Sequence, residues 1–286
     1  MVEFEVPEID YTQYTNRQLV AVPLAVLAIA LTVLLGWYLF TGVPVDLGIE
    51  FTGGTELTIQ TDEPRSEVRA AFEQEPTSVR AIQGEENTYI VEFQSSDIGE
   101  LETQAEDAGY DVRSSSTTSP SFGDQAQTEA LYGVVIAFVG MSLLAFVFFR
   151  TFVPSIAIVA SAFSDIAIPL ALMNVVGIEL SLGTVAALLM LIGYSVDSDI
   201  LLNNHILRRS GEFYESTHRA MRTGVTMTLT SISAMAVMAV TASLFGIDLL
   251  RDIGIVLVFG LTADLMNTYM LNLSLLRWYK FEGVAR

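Results

Sequence analysis

The sequence predicts a polytopic α-helical membrane protein that carries a small α+β domain between its first two spans. Three observations lead there. Of 286 residues, 51% are hydrophobic and only 16% are charged, and the mean hydropathy of +0.49 is too high for an ordinary soluble domain. The apolar residues gather into six stretches, each close to the ~20 residues needed to cross a bilayer. The segment 41–129, in contrast, is polar and alternates strand and helix patterns.

The N-terminal tail, 1–18, holds four acidic residues. The first span, Leu19–Phe40, is longer than the ~7–15-residue core of a cleaved signal, so it reads as an uncleaved anchor. The later spans are Ala130–Phe149, Phe152–Val176, Leu180–Leu202 (180–204 with the Asn pair that follows), Thr223–Phe245 and Ile253–Tyr279. The stretch 205–222 forms a loop, and 280–286 a short tail.

Within 41–129, Thr55–Gln60 reads as a strand and Pro64–Glu75 as a helix with Pro in its first turn. Ser78–Gln83 is a strand, Gly84–Asn87 a turn, and Thr88–Phe93 a strand with period-two alternation. Ser96–Ala108 reads as a helix capped by Ser95 or Ser96 and ended by Gly109, and Asp111–Ser116 as the last strand. The order βαββαβ is the ferredoxin-like arrangement. The polar run Ser114–Gln127 then links back to the membrane. Gly53-Gly54 reads as a turn into the first strand rather than a phosphate loop, because neither a helix start nor a Lys follows it.

Charge sets orientation and excludes several functions. With a cytoplasmic N-terminus, nine of the 14 basic residues lie inside: Arg17, Arg150, Arg208, Arg209, Arg219, Arg222, Arg277, Lys280 and Arg286. The short outside loops then hold only Arg251, and Arg65, Arg69, Arg80 and Arg113 sit in the long 41–129 segment, which is exempt from the positive-inside rule. Both termini are therefore expected to be cytoplasmic in the cell membrane, and 41–129 extracytoplasmic. The net charge of −19 argues against a nucleic-acid partner. The lack of cysteine excludes a disulfide framework and a thiol nucleophile. No catalytic motif appears, and no metal or cofactor is expected. The 19 acidic residues and four arginines of 41–129 resemble either a high-salt surface or a face that steers a cationic partner.

Acids inside membrane helices are costly, by ~2.5–3.5 kcal/mol on insertion scales, and commonly mark ion pathways. Asp165 lies mid-way along the third span, with Pro169 and Asn174 beyond it, and Asp264 lies mid-way along the sixth, with Asn267 three residues on. The fourth span holds Asp197 and Asp199 and runs on to Asn203, Asn204 and His205. Residues two apart point about 200° apart on a helix, so Asp197 shares a face with Asn204, and Asp199 shares one with Ser195 and Asn203. Arg222 enters the fifth span, followed at helical spacing by Thr226, Thr230 and Ser233. Against a role as an ion-coupling group stands plainer packing. Asp165 and Asp264 could each be satisfied by a neighbouring Asn, the hydroxyls could back-bond to their own helix, His205 could mark the membrane border, and Asp252 could cap the sixth helix.

Four segments carry a family resemblance. Gly48-Ile49-Glu50-Phe51-Thr52-Gly53-Gly54-Thr55 resembles the G-I-D-F-x-G-G-T segment after the first helix of the SecD/SecF family. Gly193-Tyr194-Ser195-Val196-Asp197-Ser198-Asp199 resembles the G-Y-S-V/L-N-D signature of the SecF branch, and Met221-Arg222-Thr223 its S/H-R-T. Leu249-Leu250-Arg251-Asp252 is similar to a segment before the sixth helix in some members. The bacterial Asn position holds Asp197, its Asp position holds Ser198, and His205 stands in place of a family Arg. The resemblance implies a subunit without enzymatic turnover that pairs with SecD beside the SecY/SecE-type channel. The pair would use an H⁺ or Na⁺ gradient to draw the exported polypeptide across the membrane, with Asp197, Asp199, Arg222, Asp165 and Asp264 as ion-coupling candidates. The acidic, lysine-poor composition looks haloarchaeal. The six-helix unit also resembles half of a transporter of the resistance–nodulation–division superfamily, so a passive translocon scaffold, or half of a lipid or drug exporter of that superfamily, are the alternatives. An intramembrane aspartyl protease would need motifs that are absent.

Overall fold

The computed structural model describes residues 10–82, 87–208 and 212–283. Arg209 and Arg286, the side chain of Arg208, and all but Asn87 of the expected Gly84–Asn87 turn lie outside the described residues.

A 3₁₀ turn, Tyr11–Gln13, precedes helix α1 (Asn16–Thr41). Thr15 Oγ1 accepts the Gln18 amide proton while the Gln18 side chain accepts from the Thr15 amide, a capping box. Arg277 ties down the entering chain by donating to the Tyr11 and Tyr14 carbonyls at 3.1 and 2.8 Å. Past α1 the chain is stitched to the far end of the helical bundle. Trp37 Nε1 donates to Asp46 at 2.7 Å, Asn174 donates to the Pro44 carbonyl at 2.8 Å, and Leu47 pairs with Leu180 in a parallel bridge.

A one-turn helix, α2 (Ile49–Thr52), leads into the α+β domain: β1 (Gly54–Gln60), α3 (Arg65–Ala70), β2 (Ser78–Ala81), β3 (Thr88–Phe93), α4 (Ile98–Asp107) and β4 (Asp111–Thr118). The sheet is antiparallel in the order β2-β3-β1-β4. Alternating residues of β1, led by Leu57 and Ile59, pack with Val91, Phe93, Val68 and Leu101 in the core. Two expectations need correction. The helix expected over Pro64–Glu75 closes at Ala70. The second helix is capped by Asp97, which accepts from the Glu100 amide, because Ser95 is turned to the Asp97 amide instead.

No linker follows β4. Ser119 caps α5 (Pro120–Phe149), so the polar run expected as a tether is strand and then helix. The bundle continues with α6 (Phe152–Val176), α7 (Leu182–Arg208), α8 (Phe213–Leu244) and α9 (Asp248–Met266). The helical path runs on through a π-helical stretch, Asn267–Asn272, into α10 (Leu273–Trp278). Because α9 starts at Asp248, Asp252 lies within its first turns and pairs with Arg251 rather than capping it. The chain is thus a polytopic membrane protein with, among the described residues, five long apolar helices, α1 and α5 to α8, and a four-stranded domain between the first two. At 1.5 Å per residue the 26 residues of α1 extend about 39 Å, enough to cross a ~30 Å hydrocarbon layer. Ile29 and Leu39 on α1, Ile136 and Leu143 on α5, and Val237 and Val240 on α8 are exposed apolar side chains on the outside of the bundle. α6 and α7 occupy the interior.

The Gly53-Gly54 pair forms the turn into β1, with φ of +74° and +128°. A Cβ on Gly53 would sit 2.8 Å from Pro120, and one on Gly54 would collide with the Phe93 carbonyl. Gly54→Ala is therefore expected to destabilise the protein by at least ~1–3 kcal/mol. Thermal unfolding in detergent checks this, with Gly36→Ala, whose added methyl meets open space, expected to be neutral or slightly stabilising.

Candidate functional site

Three carboxyl groups from three helices meet inside the bundle. Asp165 of α6, Asp199 of α7 and Asp264 of α9 are 0%, 0% and 1% exposed. Serines spaced along α7 bind two of them. Ser195 Oγ donates to Asp165 Oδ2 at 2.6 Å, and Ser198 Oγ lies 2.7 Å from Asp264 Oδ1. Asn267 Nδ2 donates to Asp165 Oδ1 at 2.6 Å, and Ser161, one turn before Asp165 on α6, adds a 3.4 Å contact. Asp199 Oδ1 accepts from Asn272 Nδ2 at 2.7 Å and from Thr268 Oγ1 at 2.9 Å. The Thr268 hydroxyl also lies 3.3 Å from Asp264. It has one proton, and the shorter contact assigns it to Asp199.

The π-helical stretch makes this arrangement possible. Its i→i+5 bonding brings Asn267 and Asn272, five residues apart, to the same interior face, where an α-helix would turn them well apart. Such insertions recur at functional sites.

The donors do not complete the site. Asp199 Oδ2 and Asp264 Oδ2 are buried without a hydrogen-bond partner, as are Asn267 Oδ1 and Asn272 Oδ1. No Lys or Arg pairs with any of the three acids among the described residues. A carboxylate buried without a counter-charge carries a penalty of several kcal/mol, which the hydroxyl and amide donors offset only in part. Among the described residues no three His, Asp or Glu side chains converge as a metal-ion site.

The other candidates lie elsewhere. Asp197, opposite Asp199 on α7, is exposed, and with Asn204, Tyr194, Gly224 and Thr228 it lines a groove of about 180 Å³ between α7 and α8. Arg222 is exposed on α8 and forms no ion pair among the described residues. Thr226, Thr230 and Ser233 are exposed too, each donating to the carbonyl four residues back. Tyr194 donates to Ser231 at 3.2 Å. His205 is buried, its Nδ1 2.9 Å from the Leu201 carbonyl. The Gly193–Asp199 motif thus splits: Ser195, Ser198 and Asp199 face the acid cluster, and Tyr194 and Asp197 face the α8 side. In the Gly48–Gly54 motif, Gly48 donates to the Leu180 carbonyl at 2.9 Å, and Glu50 accepts from the Leu182 amide at the start of α7 at 2.5 Å. Sequence reasoning missed Ser161, Thr268 and Asn272. The one available signal was the five-residue gap between Asn267 and Asn272, meaningful only if a π turn is assumed.

Asn272→Leu removes one of the two donors to Asp199 Oδ1, leaving a buried carboxyl less satisfied. The expected loss is about 1–3 kcal/mol of stability, read as a lower unfolding temperature. Asn204→Leu, in the open groove, is expected to change it far less.

Two family profiles match the chain: "Protein export membrane protein SecD/SecF, C-terminal" over residues 99–282, and "SecD/SecF GG Motif" over residues 38–64. The protein-export membrane protein SecF of Haloferax volcanii is 70% identical over 288 residues, covering 100% of both chains. That of Haloquadratum walsbyi is 66% identical, again over 100% of both. The SecF of Pyrococcus furiosus is 39% identical over 93% of each chain. Among solved structures, the crystal structure of SecDF, a translocon-associated membrane protein from Thermus thermophilus, aligns with a TM-score of 0.76 at 22% identity. The match takes in 96% of this chain and 39% of that one, so this chain shares its fold with a part of the larger protein.

Proposed function

The chain belongs to the SecF branch of the SecD/SecF family of protein-export membrane proteins, and from that premise we propose that it couples an ion gradient to protein export. In this reading α9, the π stretch and α10 form a sixth crossing, both termini are cytoplasmic in the cell membrane, and the ferredoxin-like α+β domain is extracytoplasmic. The chain pairs with SecD and works beside a SecY/SecE-type channel on the exported polypeptide. It acts as a transport subunit and not as an enzyme.

One observation carries the proposal: Asp165, Asp199 and Asp264, from three helices, share a buried hydrogen-bonded cluster with no basic partner among the described residues. Loading or unloading a proton or a Na⁺ changes the charge of that cluster by one unit. The same hydroxyls and amides then serve a different set of oxygens, and a change in donor pattern shared by α6, α7 and α9 is a change in how those helices pack. Asp197 and Arg222 belong to the same proposal in another role. Polar and charged side chains exposed on α7 and α8 at membrane depth are costly against lipid. A second membrane subunit covering that face would supply their partners, which supports pairing with SecD.

Export of a reporter protein from cells in which the variant replaces the native chain tests this reading. Asp199→Asn and Asp165→Asn should slow export on the order of tenfold or more, as a coupling free energy of ~1–3 kcal/mol implies, while SecD still co-purifies. Asp197→Asn and Arg222→Gln should instead weaken co-purification. Normal export from both cluster variants would leave the passive scaffold as the better reading.

A further inference from the structure

Oxygen atoms outnumber the protons available to them at one edge of the acid cluster. Ser198 Oγ lies 2.7 Å from Asp264 Oδ1, 2.8 Å from the Ser195 carbonyl and 3.3 Å from Thr268 Oγ1. Thr268 Oγ1 lies 2.9 Å from Asp199 Oδ1 and 3.3 Å from Asp264 Oδ1. Those are five oxygen–oxygen contacts, and each of the two hydroxyls has a single proton to give, so three contacts go without one. Protonating one carboxyl fills at most one of the three. Asp199 Oδ2, Asp264 Oδ2 and Asn272 Oδ1 are further buried acceptors with no donor. No Lys or Arg pairs with either acid among the described residues.

A cation answers such a surplus because it draws several oxygens at once, charged and neutral alike, whereas a proton sits on one oxygen and is shared with a second. Size and charge select among cations. Asp264 Oδ1, Ser198 Oγ and Thr268 Oγ1 form a triangle with edges of 2.7, 3.3 and 3.3 Å. Around an ion with metal–oxygen distances of ~2.4 Å, neighbouring oxygens of an octahedral shell lie ~3.4 Å apart. Na⁺ is an ion of that size, and the larger K⁺ would spread the triangle. A divalent ion of similar size calls for more carboxylates than this edge offers, and no three His, Asp or Glu side chains converge as a metal-ion site among the described residues. Two carboxylates and two hydroxyl oxygens suit a single positive charge. Ser198 is half-buried, and besides binding Asp264 it lines the α7–α8 groove beside Asp197 and Asn204. The edge is therefore one side chain from the groove, whose own carboxylate favours cations over anions.

We propose that Asp199, Asp264, Ser198 and Thr268 form a binding site for one Na⁺, entered from the α7–α8 groove past Ser198. Ser198 and Asp199 belong to α7, Asp264 to α9 and Thr268 to the π stretch, so a bound ion ties α7 to the last helical path. The inference deepens the ion-coupling reading by naming the ion and its ligands. It rests on that reading for what the ion does, and on the oxygen geometry for the binding itself.

Thermal unfolding of the full chain in nanodiscs reads binding without an export assay, because an ion that binds the folded chain stabilises it increasingly as its concentration passes Kd. Ionic strength is held constant with choline chloride while Na⁺, Li⁺ or K⁺ replaces the choline. The unfolding temperature should climb with Na⁺ and with the smaller Li⁺, and stay on the choline baseline with K⁺. Radioactive sodium retained by the same chain should be displaced by unlabelled Na⁺ and not by K⁺. Ser198→Ala and Thr268→Val each remove a ligand oxygen and should raise the half-saturating Na⁺ concentration on the order of tenfold or more. Thr230→Ala, on the exposed side of α8, should leave it unchanged. Equal responses to Na⁺ and K⁺, or Ser198→Ala and Thr268→Val chains that hold sodium as tightly as the native one, would overturn the proposal. The export assay separates it from the coupling reading. Slowed export from Asp199→Asn beside a native chain that retains no sodium overturns the site and leaves protons as the coupling ion. Sodium retention by the native chain beside normal export from Asp199→Asn supports the site and removes its coupling role.

Discussion

Hydrocarbon does not tolerate an uncompensated charge, and three carboxyl groups at the centre of this bundle set the terms for the helices around them. Every donor that reaches Asp165, Asp199 and Asp264 comes from a side chain placed by helical geometry: Ser161 from α6, Ser195 and Ser198 from α7, Asn267, Thr268 and Asn272 from the π stretch. Those contacts hold the helices in register. They also leave two carboxyl oxygens without a donor. A bundle built only for stability would satisfy such oxygens or replace them with apolar groups of similar volume.

α7 connects this centre to the rest of the molecule. Its first amide is held by Glu50, and Asp199 lies about 26 Å further along at 1.5 Å per residue. The glutamate belongs to the segment that turns through Gly53-Gly54 into β1. The other end of the sheet runs through Ser119 directly into α5. The α+β domain is therefore clasped between two helices with little slack. In the proposed function a repacking around Asp199 would reach the domain through α7 as through a rigid rod.

Much of this architecture was legible because burial writes itself into composition. The apolar runs located the helices of the bundle, and period-two alternation located β3. Ends were harder. α5, α8 and α9 begin at Pro120, Phe213 and Asp248, well before their apolar runs, because a helix does not stop where the lipid does. The polar residues of 119–129 and 213–222 look like linkers only to a reading based on hydropathy. Asp97 displaced the serines as a cap because Ser95 found the Asp97 amide first.

At the site, the 200° separation of Asp197 and Asp199 was readable from spacing alone, but spacing does not say which of the two points inward. Helix packing decides that, by placing α9 and the π stretch on the side of Asp199. The π turn left only a faint mark, and with it went Asn272 and Thr268.

The central claim is that the buried carboxyls carry an exchangeable proton or cation. Infrared difference spectroscopy of the full chain in bilayers, titrated with pH and with Na⁺, measures it most directly. The account predicts a carboxyl band that changes with proton or Na⁺ concentration in the native chain and is missing from the difference spectrum of the chain in which Asp165, Asp199 and Asp264 are all replaced by Asn. Difference spectra of the two chains that coincide across both titrations would contradict it.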